Sequence, residues 1–253
     1  MKSAVLCLAA IFAFTPVVYA ADSEATQLVE KSETQTRGKS LQAKVSMSVD
    51  NGGTHRAMSF RIWSEGKEKA LIKVLTPAKD RGTGNLRLDL NLWQYLPNIE
   101  RVVKIPPSMM LQSWMGSDFT NDDLVKTSSL ARDYTHAIEK REDMAGTPSV
   151  KIICTPKPDA PVTWGKVILW VRASDAVPLK QEFYLENGEL VKVMEGSDIK
   201  TFGSHTIPTK LTMRNVKKEG SSTTLEYQKV TFDEKISAKI FSQDNLQRPV
   251  SEE

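Results

Sequence analysis

The sequence predicts a mainly β protein: one curved antiparallel sheet or barrel with a few helical pieces. Three observations carry that prediction. Apolar and polar residues alternate with period two along most of the chain, the alternating runs are joined by turns of hairpin length, and no shift in composition divides them into two groups. The runs number about a dozen, and an open sheet of that width must curl, close or split.

The first residues stand apart from this pattern. Met1-Lys2-Ser3 is a short basic start, an apolar run follows to Phe14, and Val18-Tyr19-Ala20 offers small residues at the −3 and −1 positions of a cleavage site. Residues 1–20 are therefore expected to be a cleaved secretory signal peptide, too short for a membrane span, and residues 21–253 a single domain. Cys7 leaves with the signal and lacks a lipobox, with Ala4 where Leu is wanted, so the mature protein is expected to be unanchored and to keep only Cys154. An exported chain of this size without a disulfide fits a Gram-negative periplasm. The formal charge of +3 includes Lys2, so the mature chain is nearly neutral, and nothing in it calls for a nucleic-acid partner.

Helical spacing of Ala25, Leu28 and Val29 predicts a short helix over 23–36. The period then changes. Leu41, Ala43, Val45, Met47 and Val49 alternate with polar residues, as in a strand with one face buried and one wet. Asn51-Gly52-Gly53 turns the chain into a strand with Met58, Phe60 and Ile62 on one face. Glu65-Gly66-Lys67 leads into 70–75, and Gly82-Thr83-Gly84 into Leu86, Leu88 and Leu90. Strands over 92–96 and 99–105 flank a Pro97-Asn98 hairpin turn. Further strands are predicted over 134–140, 150–155, 166–172, 179–186, 189–199, 206–216 and 223–232. Asn187-Gly188 is the strongest two-residue hairpin signal, and Pro156, Pro158 and Pro161 form a stiff connector.

One segment departs from a plain β protein. No charge occurs between Lys104 and Asp118. Pro106-Pro107 ends a strand, and Ser108 is a reasonable N-cap for a short helix to Met115. Met109, Met110, Leu111, Trp114 and Met115 would cover most of that helix, and a helix apolar all round must sit inside something. Thr120-Asn121-Asp122-Asp123 reads as the start of a second short helix, with acids in its first turn. The uncharged segment is either a core plug closing one end of the barrel or a movable lid over a hydrophobic cavity; its three methionines suit adaptable apolar contacts.

A search for chemistry returns no catalytic group, no metal site and no cofactor site. His55, His136 and His205 are isolated, with His55 and His205 expected as exposed loop residues. Cys154 shares a strand face with Val150 and Ile152 and reads as a small buried hydrophobe. Gly116-Ser117-Asp118 and Gly196-Ser197-Asp198 lack the second glycine of a nucleophile elbow.

Residues 92–97 (Leu-Trp-Gln-Tyr-Leu-Pro) followed by 101–124, from Arg101-Val102-Val103-Lys104-Ile105-Pro106-Pro107-Ser108-Met109-Met110 through Trp114-Met115-Gly116-Ser117-Asp118-Phe119-Thr120-Asn121-Asp122-Asp123-Leu124, closely resemble the bacterial outer-membrane lipoprotein-sorting family, the LolA-like proteins. Blocks at 155–162, 178–184 and 197–200 resemble it too, so the likeness runs from about Gly38 to Leu246. The resemblance implies a half-open, unclosed antiparallel β-barrel with short helices forming a lid over a hydrophobic cavity. It implies a soluble, monomeric periplasmic carrier that binds acyl chains of lipoproteins or other lipids and shuttles them towards the outer membrane. An inner-membrane transporter and an outer-membrane acceptor are the implied partners; the alternative is a lipid-binding accessory partner of an inner-membrane lipid exporter of the RND/MMPL type.

Burying an acyl chain of about sixteen carbons releases up to ~12 kcal/mol at ~0.8 kcal/mol per methylene. A carrier that captured all of this could not pass its cargo on, so the cavity is expected to be partly filled when empty. Met109, Met110, Leu111, Trp114, Met115 and Phe119 are the expected gate. Trp63, Leu71, Trp93, Leu96, Leu169 and Val171 are the candidate cavity wall, subject to strand parity.

Overall fold

The computed structural model describes residues 22–125, 129–160 and 162–250. The expected signal peptide and Pro161 lie outside the described residues. The described residues form a single sheet of thirteen strands, antiparallel throughout. The first meander comprises β1 (Ser40–Asn51), β2 (His55–Glu65), β3 (Lys69–Thr76), β4 (Gly84–Leu88), β5 (Asn91–Leu96) and β6 (Arg101–Lys104). The second comprises β7 (Tyr134–Met144), β8 (Thr147–Pro156), β9 (Lys166–Arg172), β10 (Pro178–Tyr184), β11 (Leu190–Phe202), β12 (His205–Asn215) and β13 (Ser221–Phe232). Their order in space is β6, β5, β4, β3, β2, β1, β13, β12, β11, β10, β9, β8, β7. Among the described residues only the β1–β13 pairing joins the two meanders, and β6 and β7 are left as the two edges of an unclosed sheet.

Bulges bend the strands, with register shifts at Lys44/Val45 in β1 and at Ser59/Phe60 in β2, and further shifts in β7 and β10. The curl brings Met213 of β12 into one cluster with Val150 of β8, although three strands lie between them in the sheet. The inner face is read directly from the register: Val45 pairs with Phe60, Phe60 with Val74, and Ile152 with Leu169.

Helix α1 (Ser23–Arg37) precedes the sheet and lies on its inner face. Asp22 caps it by accepting from the Glu24 N–H at 2.9 Å, and Gly38, with φ 60°, ends it by donating to Thr34 O. Ala25 and Val29 are fully buried against Tyr134, Val150 and Ile152. His136 of β7 secures the helix: Nε2 donates to Leu130 O at 2.7 Å, and Nδ1 meets the Thr26 hydroxyl at 3.0 Å. Burial holds its pKa below the usual imidazole value.

Two turns differ from the sequence expectation. Pro97–Ile99 is a 3-10 turn followed by a left-handed Glu100, because proline fixes the first φ of a right-handed turn. At Asn187-Gly188 only the glycine is left-handed, with φ 82°, and Leu185 N–H bonds Glu189 O at 2.9 Å. This is a type I turn closed by a left-handed glycine, not a two-residue type I′ turn. The expected exposure of His205 is also corrected. His205 is buried and stacked on Phe232, with its ring nitrogens 2.9 Å from Gln35 O and 2.8 Å from Asp233 Oδ2. His55 is exposed, as expected.

After β13 the chain crosses to the opposite, outer face of the first meander. A 3-10 turn at Ala238–Ile240 and the short helix α4 (Gln243–Gln247) place Ile236, Phe241 and Leu246 over Leu71 and Leu86. Gly84 permits the close approach, since a Cβ there would lie 2.7 Å from the Leu246 side chain. Lys73, 2 % exposed, reaches the same place from β3 and donates its ammonium to the carbonyls of Leu246 and Arg248.

Burial pushes the Lys73 pKa down to about 8. Between that value and its unfolded value of about 10.4, the folded chain has shed a proton that the unfolded chain keeps, so the group's contribution to stability rises with pH in that window. Denaturant titrations are expected to show wild type gaining about 2 kcal/mol over a Lys73→Met variant as pH rises from 8 to 10.

Candidate functional site

The inner face of the sheet is filled differently in its two halves. Over the first meander lies the segment from Pro106 to Val125. The helix expected over 108–115 is not formed: a 3-10 turn at Pro107–Met109 is followed by a small hairpin. Consecutive left-handed residues at Met115 (φ 52°) and Gly116 (φ 71°) reverse the chain, and Ser117 N–H bonds Trp114 O at 2.9 Å. Trp114 N–H then bonds Phe119 O at 2.7 Å, and Asn121 N–H bonds Gln112 O at 3.0 Å. The expected second short helix is present as α2 (Asn121–Val125). Thr120 and Asp123 cap it reciprocally, with Asp123 Oδ2 accepting from Thr120 N–H at 2.8 Å and Thr120 Oγ1 from Asp123 N–H at 3.3 Å.

This segment drives Trp114 into the barrel. The indole is 4 % exposed and packs on Met47, Val49, Met58, Phe60 and Val74, with its ring 5.2 Å from that of Phe60. Its N–H donates to Asn85 Oδ1 at 3.1 Å. Asp118, also buried, accepts from the hydroxyls of Thr223 at 2.8 Å and Ser221 at 3.3 Å. Asp123 Oδ2 receives the Lys192 ammonium of β11 at 2.8 Å. The plug is therefore fastened to both meanders, to the first through Asn85 and to the second through Thr223 and Lys192.

Over the second meander the cover is α1, and it leaves a gap. A cavity of about 400 Å³ lies between Val29 of the helix, Leu130 of α3 (Leu130–Asp133), and Leu169, Met194, Ile207, Leu211 and Tyr227 of the sheet. Pro178 and Pro208 close it, packed against Gly196, where a Cβ would lie 2.9 Å from the Pro208 ring and 3.1 Å from Pro178 O. The volume is in the lower part of the ~300–1,000 Å³ range of small-molecule sites.

Glu33 and Arg37, one turn apart at the end of α1, form the boundary between this cavity and an outer recess of about 820 Å³. The recess is lined by charge, including Glu30, Lys39, Lys67, Arg132, His205 and Asp233. Glu33 accepts from Ser129 Oγ at 2.6 Å and Lys67 Nζ at 3.2 Å, which fixes the start of α3. The Asp233 carboxyl is held below its usual range by its bond to His205 and then by the Lys39 N–H.

The expected gate residues divide three ways. Trp114 is buried, with Met115 and Phe119 partly buried against its cluster; Phe119 touches the α1 cluster as well. Met110 is partly buried on Leu92 and Ile105. Met109 and Leu111 face outward, 37 % and 65 % exposed. Among the candidate wall residues, Leu169 and Val171 are on the inner face beneath α1, and Leu169 lines the cavity. Leu96 is half-buried and pairs with Arg101 at the open edge. Trp63, Leu71 and Trp93 are on the outer face beneath the C-terminal segment, so they do not adjoin the cavity. Sequence reasoning missed Met194, Ile207, Leu211, Tyr227 and Arg37; inner-face parity along β11–β13 and the apolar face of α1 were the available signals.

Cys154 is fully buried, and burial pushes its thiol up to about 12, as befits a packing residue. Among the described residues no group of three His, Cys, Asp or Glu is placed to hold a metal, and no helix is long and apolar enough to cross a membrane.

A family model described as an uncharacterized protein matches residues 66–248. Among solved structures, a DUF1329 family protein from Desulfovibrio piger superposes with a TM-score of 0.81 at 23% identity, over 88% of this chain and 98% of that one. A Vibrio parahaemolyticus domain described as outer membrane lipoprotein-sorting gives 0.78 at 22%, over 89% and 99%. A LolA superfamily protein from Nitrosomonas europaea gives 0.73 at 23%, over 87% and 98%. These likenesses establish the LolA-like fold of an unclosed antiparallel sheet with few short helices. No curated protein is significantly similar to the chain.

Because Trp114 fills the first half of the barrel, Trp114→Ala is expected to cost about 3–5 kcal/mol in denaturant unfolding. Leu111→Ala, at an exposed position of the same segment, is expected to cost less than about 0.5 kcal/mol.

Proposed function

We propose that the chain, which belongs to the family of uncharacterized proteins whose model matches residues 66–248, is a non-catalytic periplasmic carrier that takes an acyl chain of a lipoprotein or lipid into the cavity beneath α1 and shuttles it towards the outer membrane. The observation that carries this reading is the cavity itself, a gap of about 400 Å³ between a helix and the inner face of an unclosed sheet, with an apolar wall of Leu169, Met194, Ile207, Leu211 and Tyr227. At ~30 Å³ per water-sized group it holds about thirteen methylenes. Burying them releases at most about 10 kcal/mol, reached only against a wholly apolar wall, which is enough to extract a chain from water and little enough to surrender it to a membrane or a partner.

The plug limits that energy. Trp114 and its neighbours occupy apolar inner surface that a longer chain would otherwise cover, so the empty protein keeps half of its inner face dry without cargo. Trp114, Met115, Phe119 and Met110 act as the gate in this reading, and Leu169 as part of the wall. Met109 and Leu111, outside the barrel, contact whatever presents the lipid. The fold-level likeness to a lipoprotein-sorting domain supports the same reading.

Native mass spectrometry of the protein expressed in a periplasm is expected to show co-purified lipid, and Leu211→Trp, which fills the cavity, is expected to lose it while keeping the wild-type circular dichroism. A clean apo mass for wild type, with no uptake of added lipid, would overturn the carrier reading.

A further inference from the structure

Resting on that reading, we propose that the cavity mouth recognises an anionic group, so that the cargo is an acyl chain bearing a phosphate or carboxylate, and that Arg37 is the residue that binds it. The two spaces meet at Glu33 and Arg37: on one side a chamber with an apolar sheet wall and a polar rim of Ser32, Thr36, Asp123 and Gln181, on the other a recess lined by charged side chains. A ligand that occupies both is an amphiphile, with its polar end at these two side chains.

The state of the two boundary residues decides the sign of that polar end. The Glu33 carboxylate is already engaged, by Lys67 Nζ, the Ser129 hydroxyl and the Ala131 N–H at 3.3 Å. Arg37 is half-buried and makes no hydrogen bond or ion pair with a described residue. The Lys39 ammonium beside it is exposed, and its charge acts on the Asp233 carboxylate. The other charged groups of the recess are mostly taken: Asp233 by His205 and the Lys39 N–H, and Arg132 by Asp133 at 2.7 Å. Glu30, one turn earlier on α1, is exposed and is the remaining acid.

Two further features favour an anion. The carbonyls at the end of α1, which would repel one, are partly covered: Gly38 N–H bonds Thr34 O, and His205 Nδ1 faces Gln35 O. Arg87, 5 % exposed on the inner face of β4, lies close enough to feel the Arg37 charge; its pKa is pushed down to about 10, by burial first and by Arg37 next. A half-buried guanidinium at the boundary of the two spaces gains most from a phosphate or carboxylate, which it binds by charge-assisted, often bidentate bonds.

The test uses the full mature chain and four probes in titration calorimetry: lysophosphatidylglycerol, palmitate, neutral monopalmitoylglycerol and inorganic phosphate. Wild type is expected to bind the two anionic amphiphiles roughly tenfold to a hundredfold more tightly than the neutral one, as one charge-assisted bond provides. Arg37→Gln is expected to erase that preference while leaving monopalmitoylglycerol affinity and the melting temperature unchanged, and Arg37→Lys to restore part of it. Equal wild-type affinity for anionic and neutral probes, or a preference that survives Arg37→Gln, overturns the proposal and leaves the carrier reading standing. Binding of none of the three amphiphiles overturns both. A preference for lysophosphatidylglycerol or for palmitate separates phosphate from carboxylate cargo, and inorganic phosphate bound as tightly as either amphiphile overturns the claim that the head group is read together with its chain.

Discussion

Everything in this molecule depends on one pairing, that of the first strand with the last. β1 and β13 run antiparallel from Leu41↔Phe232 to Asn51↔Ser221 and are the sole sheet junction between the two meanders. Each meander alone would be a curled sheet with a bare apolar face. Joined along β1–β13 they share one concave surface, and the bulge at Lys44/Val45 helps to bend it. Because β6 and β7 do not meet, the concavity is not sealed by strands and has to be covered by segments of other kinds.

Two such segments exist, and they do opposite things. The Pro106–Val125 segment inserts a tryptophan that packs on Met47, Val49, Met58, Phe60 and Val74 in the first half. Helix α1 spans the second half without filling it, because its inward residues are small at Ala25 and short and polar at Ser32. The empty volume sits where the cover is a rigid rod and not a looped side chain. Phe119, touching both clusters, marks the partition. An energetically modest pocket follows from this division; in the proposed carrier role, a barrel hollow from end to end would hold lipid too tightly to pass it on.

The strands were legible because period two survives wherever one face is wet, as in 41–49, and because 166–172, buried on both faces, reads as a short continuous apolar run. Which face turns inward was less legible. Trp63, Leu71 and Trp93 are as apolar as any cavity wall, and only the C-terminal segment, 150 residues or so away in sequence, makes the outer face there a second core. The uncharged stretch misled in a related way. Its composition allows a helix, but Gly116 permits a left-handed reversal, and one well-placed hydrogen bond from Trp114 to Asn85 rewards the hairpin. Arg37 carried no sequence signal, since a basic residue in the last turn of a helix is ordinary capping practice; its interest arises from the Glu33 network and the two spaces beside it.

The C-terminal segment also sets an order of events during biogenesis. The strands made earliest, β1 to β5, leave the second edge of β1 unpaired until β13 is complete and have no cover for Leu71 and Leu86 until Phe241 and Leu246 have emerged. A chain delivered N-terminus first therefore stays sticky on two faces almost to its last residue, and its long-range contacts close late and together. Such a protein needs shelter while it is being made, and the loss of even a dozen terminal residues would leave a mature-looking sheet exposing its outer core to every neighbour.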